Sequence, residues 1–366
     1  MESGYDQLDK GSVNETEICS ASRGVGSTEE FHAGHPGLNS SEIANLWNSY
    51  MYFDMISGFL KYLFQHVEDE EIKSLVGEAA SLYEQRVKDN GRIMEQGGLP
   101  VPAGFTAEDI KLDAPRLYSD LFCIYYLFCL ERFVIPRNSF NLGLSTRKDV
   151  RAFYEHSVTT GMRLFERVAD VLLAKGLYIR FPYVTVAKGV DFVKKQDFLT
   201  GFLGERRPAL AQEVASSFHV VFLNSVGKHL LTGFRQTARS EQVRDYIDRG
   251  KRLAEKIIDI FSSNLKAEDI PVPMFWDSMV TDSTEPPVSD KLMLFHIALM
   301  NTCGAMEYSL LMALNFRHDL KVKYLQIMAE AGDFAEDCTN ILIDKGWFEE
   351  PPRVVDRREL VNESAH

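Results

Sequence analysis

The chain carries one unit twice, and this constrains its fold more than any other feature. Pro100-Val101-Pro102 returns as Pro271-Val272-Pro273, a shift of 171 residues. Glu42 with Ala44 returns at the same shift as Glu213 with Ala215, and Glu84 returns as Glu255. Further along the shift is 170: Ser119-Asp120 becomes Ser289-Asp290, Arg147 and Asp149 become Arg317 and Asp319, and Lys175-Gly176 becomes Lys345-Gly346. Matches held in order over a whole unit mean tandem duplication, so both copies are expected to fold alike.

Hydrophobic periodicity assigns the copies to helices. Leu46, Tyr50, Phe53, Ser57, Leu60 and Phe64 are spaced by three and four, one stripe of an amphipathic helix. A second helix runs through Ile72, Leu75, Ala79, Leu82 and Arg86 to Gly97-Gly98, and a third through Leu121, Ile124, Phe128, Glu131 and Ile135, starting near Pro115. The fourth runs from Val150 to Val171, with Ser145 suited to its N-cap and Gly176 to its stop. The second copy repeats the plan over 218–234, 243–265, 290–314 and 320–343. Tyr183 to Val186 is a weak strand candidate.

Loop lengths then set the topology. The first-to-second and third-to-fourth connections are short, which makes antiparallel neighbours. The second-to-third connection, with Pro100, Pro102 and Gly104, is long enough to run the length of a bundle and start the third helix parallel to the second. The expectation is all-α: two tandem ferritin-like four-helix bundles, each with a long second-to-third crossover. The boundaries are a flexible tail over 1–37, bundles over 38–182 and 209–355, a connector over 183–208 and a C-terminal tail over 356–366.

Composition narrows the function classes. At 366 residues and a net charge of −13, the chain lacks the basic surplus that nucleic-acid backbones or anionic lipids attract. No stretch of about 20 uninterrupted apolar residues suggests a membrane span. The polar start resembles no secretory signal, and five cysteines without CxxC spacing indicate neither a disulfide framework nor a zinc knuckle. A cytoplasmic protein is expected, binding neither nucleic acid nor membrane. The six-residue spacing of Cys123 and Cys129 turns them to different helix faces, which favours small buried hydrophobes over a local redox pair.

A ferritin-type plan raises a di-iron site, which needs inward carboxylates and ExxH turns. The two ExxH spacings, Glu29 to His32 and Glu363 to His366, both lie in the tails, outside either bundle. Glu131 is the one carboxylate squarely on a core stripe, and its counterpart in the second copy is Asn301. It reads as a buried acid or as a polar seam residue paired with a neighbouring arginine. No metal site and no cofactor are expected. Asp120, Arg147 and Asp149, repeated as Asp290, Arg317 and Asp319, read as structural: N-terminal charges suited to the helix dipole, or bidentate pairs that lock helix ends. Ser145 and Asn315 suit N-caps. No phosphate loop, dinucleotide turn or GxSxG is present.

Several longer phrases add a resemblance. Pro100-Val-Pro102 with Gly104-Phe105-Thr106 and Asp109, Ala114-Pro-Arg-Leu-Tyr-Ser-Asp120, Val190-Asp-Phe-Val-Lys-Lys-Gln196, Ser289-Asp-Lys-Leu-Met293 and Lys345-Gly-Trp-Phe-Glu-Glu-Pro-Pro352 resemble a bacterial family of unknown function. That family occurs in Gram-positive spore formers as double-length chains and is similar in fold to coat-protein-F-type bundles. The resemblance spans about residues 38–360 and implies a link to sporulation, including incorporation in the spore, but brings no catalytic residues. Together these readings favour a non-enzymatic structural or interaction protein of sporulation or the spore coat, with a protein partner or self-association. The alternative is a metal- or small-ligand-binding ferritin-like protein with redox activity at a non-standard site.

Overall fold

The computed structural model describes residues 37–186, 188–202, 206–274, 278–355 and 357. The two tails, Gly37 and Arg357 apart, lie outside the described residues, as do Cys19, the Glu29–His32 pair and Trp276. Eight α-helices are present among the described residues. They are α1 (Ser40–His66), α2 (Glu70–Gln96), α3 (Asp120–Gly143) and α4 (Lys148–Ala174), then α5 (Ala211–Thr237), α6 (Glu241–Lys266), α7 (Asp290–Leu314) and α8 (His318–Asp344). Each copy supplies one four-helix bundle.

Buried polar contacts report the helix directions. In the first copy the Asp120 carboxylate, at the start of α3, accepts from Asp69 N (2.8 Å) just before α2. In the second, Asp290 at the start of α7 accepts from Ser240 N (2.7 Å) just before α6. The second and third helices of each bundle therefore start at the same end and run parallel. That is the single-crossover plan the loop lengths require.

Two local expectations are corrected. Residues 183–186 form no strand; Tyr183 is 90% exposed, and nothing pairs with the segment among the described residues. Helix α3 starts at Asp120, not near Pro115, because residues 116–118 are used elsewhere. Leu117 O accepts from Thr281 N (2.9 Å), and Tyr118 bridges Val280. Ser119 Oγ then accepts from Phe122 N (3.3 Å) as the N-cap.

Those contacts are one half of a symmetric set that joins the copies. Lys111 N donates to Pro287 O (2.8 Å), and the equivalent Thr281 N donates to Leu117 O (2.9 Å). Ser289 N donates to Asp109 O (2.9 Å), and the equivalent Ser119 N donates to Met279 O (3.1 Å). The bridges Ile110–Val288 and Tyr118–Val280 exchange the same way. Residue i of one copy meets j of the other while j meets i, the signature of an isologous interface, here within one chain. Behind it Phe59 lies edge-on to Tyr118, Tyr126, Phe234 and His296, at centroid distances of 6.0, 5.2, 5.9 and 5.1 Å. One hydrophobic core runs through residues of both copies. Helix α7 is long and apolar enough by composition to cross a membrane; in this fold it packs on α1, α5 and α8.

The copies approach closely at Gly233 on α5. Tyr118, 2% exposed, donates its hydroxyl to Leu230 O (2.8 Å) and lies where a Cβ on residue 233 would stand, 2.4 Å from that hydroxyl. Gly233→Ala is expected to displace Tyr118 and cost about 1–3 kcal/mol. Urea unfolding followed by circular dichroism measures it. A cost within about 0.5 kcal/mol of zero would show that the interface tolerates separation.

Candidate functional site

The two bundles are filled differently at the same level. In the first, Glu131 of α3 is fully buried, accepts from Tyr83 Oη (2.8 Å) and faces Arg86 Nη1 at 3.9 Å. Arg86, 2% exposed, donates to Ser157 O (2.8 Å) and lies over the rings of Tyr83 (4.6 Å) and Phe53 (5.6 Å). Gly161 on α4 makes this possible, since a Cβ there would stand 2.6 Å from Glu131 Oε2. Burial pushes the Glu131 carboxyl up, opposed by the Arg86 charge and the Tyr83 hydrogen bond. Glu131 Oε2 and Arg86 Nε and Nη1 have no hydrogen-bond partner, so the group is a packed ion pair with unmet polar atoms.

In the second copy each of these positions is smaller or apolar. Tyr83 becomes Ala254, Arg86 becomes Ile257, Phe53 becomes Asn224 and Glu131 becomes Asn301. The space they leave is an apolar cavity of about 160 Å³. Helices α5, α6, α7 and α8 line it, with Tyr126 to Arg137 of α3 as a wall contributed by the other copy. Leu230, Leu231, Ile297 and Phe334 line it, along with Asn224, Tyr308, Cys303 and Glu307. Asn224 and Tyr308 bond each other (2.9 Å), and Asn301 Nδ2 donates to Ala331 O (2.8 Å). Of this series Glu131–Asn301 stands out in the sequence because Glu131 falls on a core stripe; Tyr83–Ala254, Arg86–Ile257 and Phe53–Asn224 carry the same large-to-small signal.

The repeated polar residues are not gathered at the cavity. Asp120 binds the α1–α2 turn and accepts from Arg116 Nη2 (2.7 Å), and Asp290 accepts from Arg239 N (2.9 Å) as well as Ser240 N. Arg147 grips Asp149 through Nε (3.0 Å) and Nη2 (2.5 Å), and Arg317 grips Asp319 likewise (3.0 and 2.7 Å). The N-cap assignments of Ser145 and Asn315 are corrected. Ser145 Oγ donates back to Asn141 O (2.8 Å), and Asn315 ends α7, donating to Leu311 O (2.6 Å). The start of α4 is held from another helix: Glu42 Oε1 accepts from Thr146 N and Arg147 N, both at 2.7 Å. Its counterpart Glu213 accepts from Arg317 N (3.3 Å) and pairs with Arg207 (2.7 Å). Burial raises Glu42, but its backbone hydrogen bonds outweigh that and leave it lowered; Arg207 does the same for Glu213 and Arg317 for Asp319.

Among the described residues no three His, Cys, Asp or Glu side chains come together as a metal ion requires. Cys123, Cys129, Cys303 and Cys338 are free and buried, and burial pushes the Cys129 and Cys303 thiols up to about 12. His296, the counterpart of Tyr126, bonds the Tyr126 hydroxyl through Nε2 (3.1 Å), and its Nδ1 has no partner. Burial holds its pKa down to about 3.

Fold and cavity define a tandem pair of four-helix bundles whose interiors are filled differently at the same level. The chain belongs to the family described as "Protein of unknown function (DUF3231)", which it matches twice, over residues 29–190 and 197–360. The chain is also similar to a crystal structure of a Bacillus halodurans protein provisionally named a spore coat protein. That likeness has 17% identity and a TM-score of 0.38, over 41% of this chain and 98% of that one. No curated protein matches the chain.

Two measurements probe the buried groups. Arg86→Ile strands the Glu131 carboxylate and is expected to cost about 3–5 kcal/mol. Adding Glu131→Asn, so that both members of the ion pair carry the second copy's residues, is expected to recover part of that loss in the same unfolding assay. For His296, the unfolded chain takes up a proton below about 6.5 that the folded chain refuses until about 3. Stability therefore falls as pH falls through that window, by up to about 1.4 kcal/mol per unit from this group. Urea midpoints at three pH values in that window are expected to show a shallower slope in His296→Gln.

Proposed function

We propose that this is a non-enzymatic binding protein in which the first bundle is a solid scaffold and the second holds a small apolar molecule. The observation that carries this is the cavity of about 160 Å³ at the level where the first copy is packed with Tyr83, Arg86 and Glu131. An engineered apolar cavity of about 150 Å³ binds benzene, so the volume suits a ligand. Interiors are normally packed to crystal-like density, and a void of this size costs stability unless something fills it. The repeated Asp120, Arg147 and Asp149 set and its counterparts are spent on helix ends and turns, which supports a scaffold rather than a reaction centre. A setting in sporulating cells, implied by the family resemblance, belongs to the same proposal. It is checked by comparing the protein's abundance in spores and vegetative cells.

Filling the cavity with the first copy's own solution tests the reading. Octanol or benzene is expected to raise the melting temperature of the native chain, with a gain of about 2.7 kcal/mol at a hundredfold excess over Kd. Ala254→Phe, which places a ring where the first copy has Tyr83, is expected to keep the fold, leave stability unchanged or raise it by about 0.5–2 kcal/mol, and abolish the ligand shift. No shift in the native chain, or an equal shift in the variant, would rule the cavity out as the site.

A further inference from the structure

The cavity is not apolar along its whole length. Its α7 wall runs from His296 to Tyr308, about 18 Å at the helical rise, so it favours an elongated occupant over a compact one. Leu230, Leu231, Ile297 and Phe334 line the stretch near His296, which is buried. Glu307, next to Tyr308, and Arg137, which lies close enough to Cys303 to act on its charge, are both half-buried, so the lining meets solvent at these two residues.

The two charges there differ in what already satisfies them. Glu307 is bonded by His219 Nε2 (2.9 Å), whose Nδ1 meets Arg132 Nη2 (2.8 Å). Arg137 makes no hydrogen bond or ion pair among the described residues; its guanidinium lies over the Tyr52 ring at 4.3 Å. That stacking fixes the plane of the fork and leaves its edge N–H groups for an acceptor. A planar guanidinium matches a carboxylate bidentately. Within the lining Arg137 balances Glu307, which His219 already engages, so the lining sets no net negative charge against an incoming anion.

Resting on the ligand-binding reading above, we infer that the cavity takes an alkyl carboxylate of medium length, with its chain between α5, α6 and α7 and its carboxylate on Arg137. The chain contributes the apolar burial that the lining is built for, and the carboxylate gives Arg137 the partner it lacks. A neutral alcohol of equal length would lose the second interaction alone.

Isothermal titration of the full chain with octanoate, octanol and octylamine separates the two readings. Octanoate is expected to bind at least about tenfold tighter than octanol, as a charge-assisted hydrogen bond to a half-buried arginine allows, and octylamine weakest of the three. Arg137→Gln is expected to raise the octanoate Kd about tenfold and to move the octanol Kd far less, which also shows that the variant is folded. Arg137→Lys is expected to fall between the two. Equal affinities for octanoate and octanol, or an octanoate affinity unchanged by Arg137→Gln, would overturn the carboxylate inference and leave the apolar-ligand reading standing. Failure of all three to bind would overturn both.

Discussion

The structure depends on the reciprocal pairing of its two crossovers. Each crossover is a proline-bearing segment between two helices, and its backbone amides need partners as it runs along a bundle. Each finds them in the other copy: Lys111 and Ser119 donate to Pro287 and Met279, while Thr281 and Ser289 donate to Leu117 and Asp109. The rings of Phe59, Tyr118, Tyr126 and Phe234 lie directly behind, so the same contact that satisfies the backbone covers an aromatic cluster. Even the segment after α8 returns to this region, where Glu349 accepts from Ala103 N and Gly104 N, both at 2.8 Å.

An isologous interface between separate, identical chains would oblige both sides to carry the same residues. Fusing the copies removes that obligation while keeping the geometry. Tyr126 meets His296, its own counterpart, by a hydrogen bond that two tyrosines or two histidines would make differently. Arg137 has Glu307 as counterpart, and Tyr83, Arg86 and Glu131 have Ala254, Ile257 and Asn301. Helix-end positions such as Ser119/Ser289, Asp120/Asp290 and Glu42/Glu213 are kept alike, whereas the crossover residues that pair through backbone atoms differ, as Lys111/Thr281 and Leu117/Pro287 do. The interiors diverge as well, where one copy packs an ion pair and the other opens a cavity.

Much of this was legible before any coordinates. Period-three-to-four stripes mark the four helices of the first copy and the last of the second, the repeat places the others, and the crossover is long enough to let α3 run parallel to α2. The errors have local physical causes. Ser145 and Asn315 have the chemistry of N-caps, but a carboxylate from another helix, Glu42 or Glu213, does that work, and no local window shows a partner 104 residues away. The start of α3 was placed early because residues 116–118 have no reason to be extended until the second copy is there to pair with them. Glu131 stood out on its stripe, yet Arg86 was read as part of an amphipathic face, since a pattern of spacing does not show that Gly161 clears room for both. The cavity was hidden for a different reason. It is a difference between two aligned copies, and conservation within the repeat drew attention to what they share.

That the wall of the cavity comes from both copies has a thermodynamic consequence. Tyr126, Phe133, Val134 and Arg137 of α3 face it from the first copy, and α5 to α8 enclose it from the second. A molecule seated there touches both sides of the copy–copy contact, so any binding free energy it contributes is available only while that contact is closed. By linkage, occupancy stabilises the docked arrangement over any state in which the copies part. The first bundle, packed through Arg86 and Glu131, can hold its own shape while this happens. The second bundle, with Ala254 and Ile257 in place of the tyrosine and the arginine, has less of its own core to rely on. On the binding reading proposed above, the asymmetry would put the dependence on a ligand in the second copy, where Ala254 and Ile257 stand for Tyr83 and Arg86.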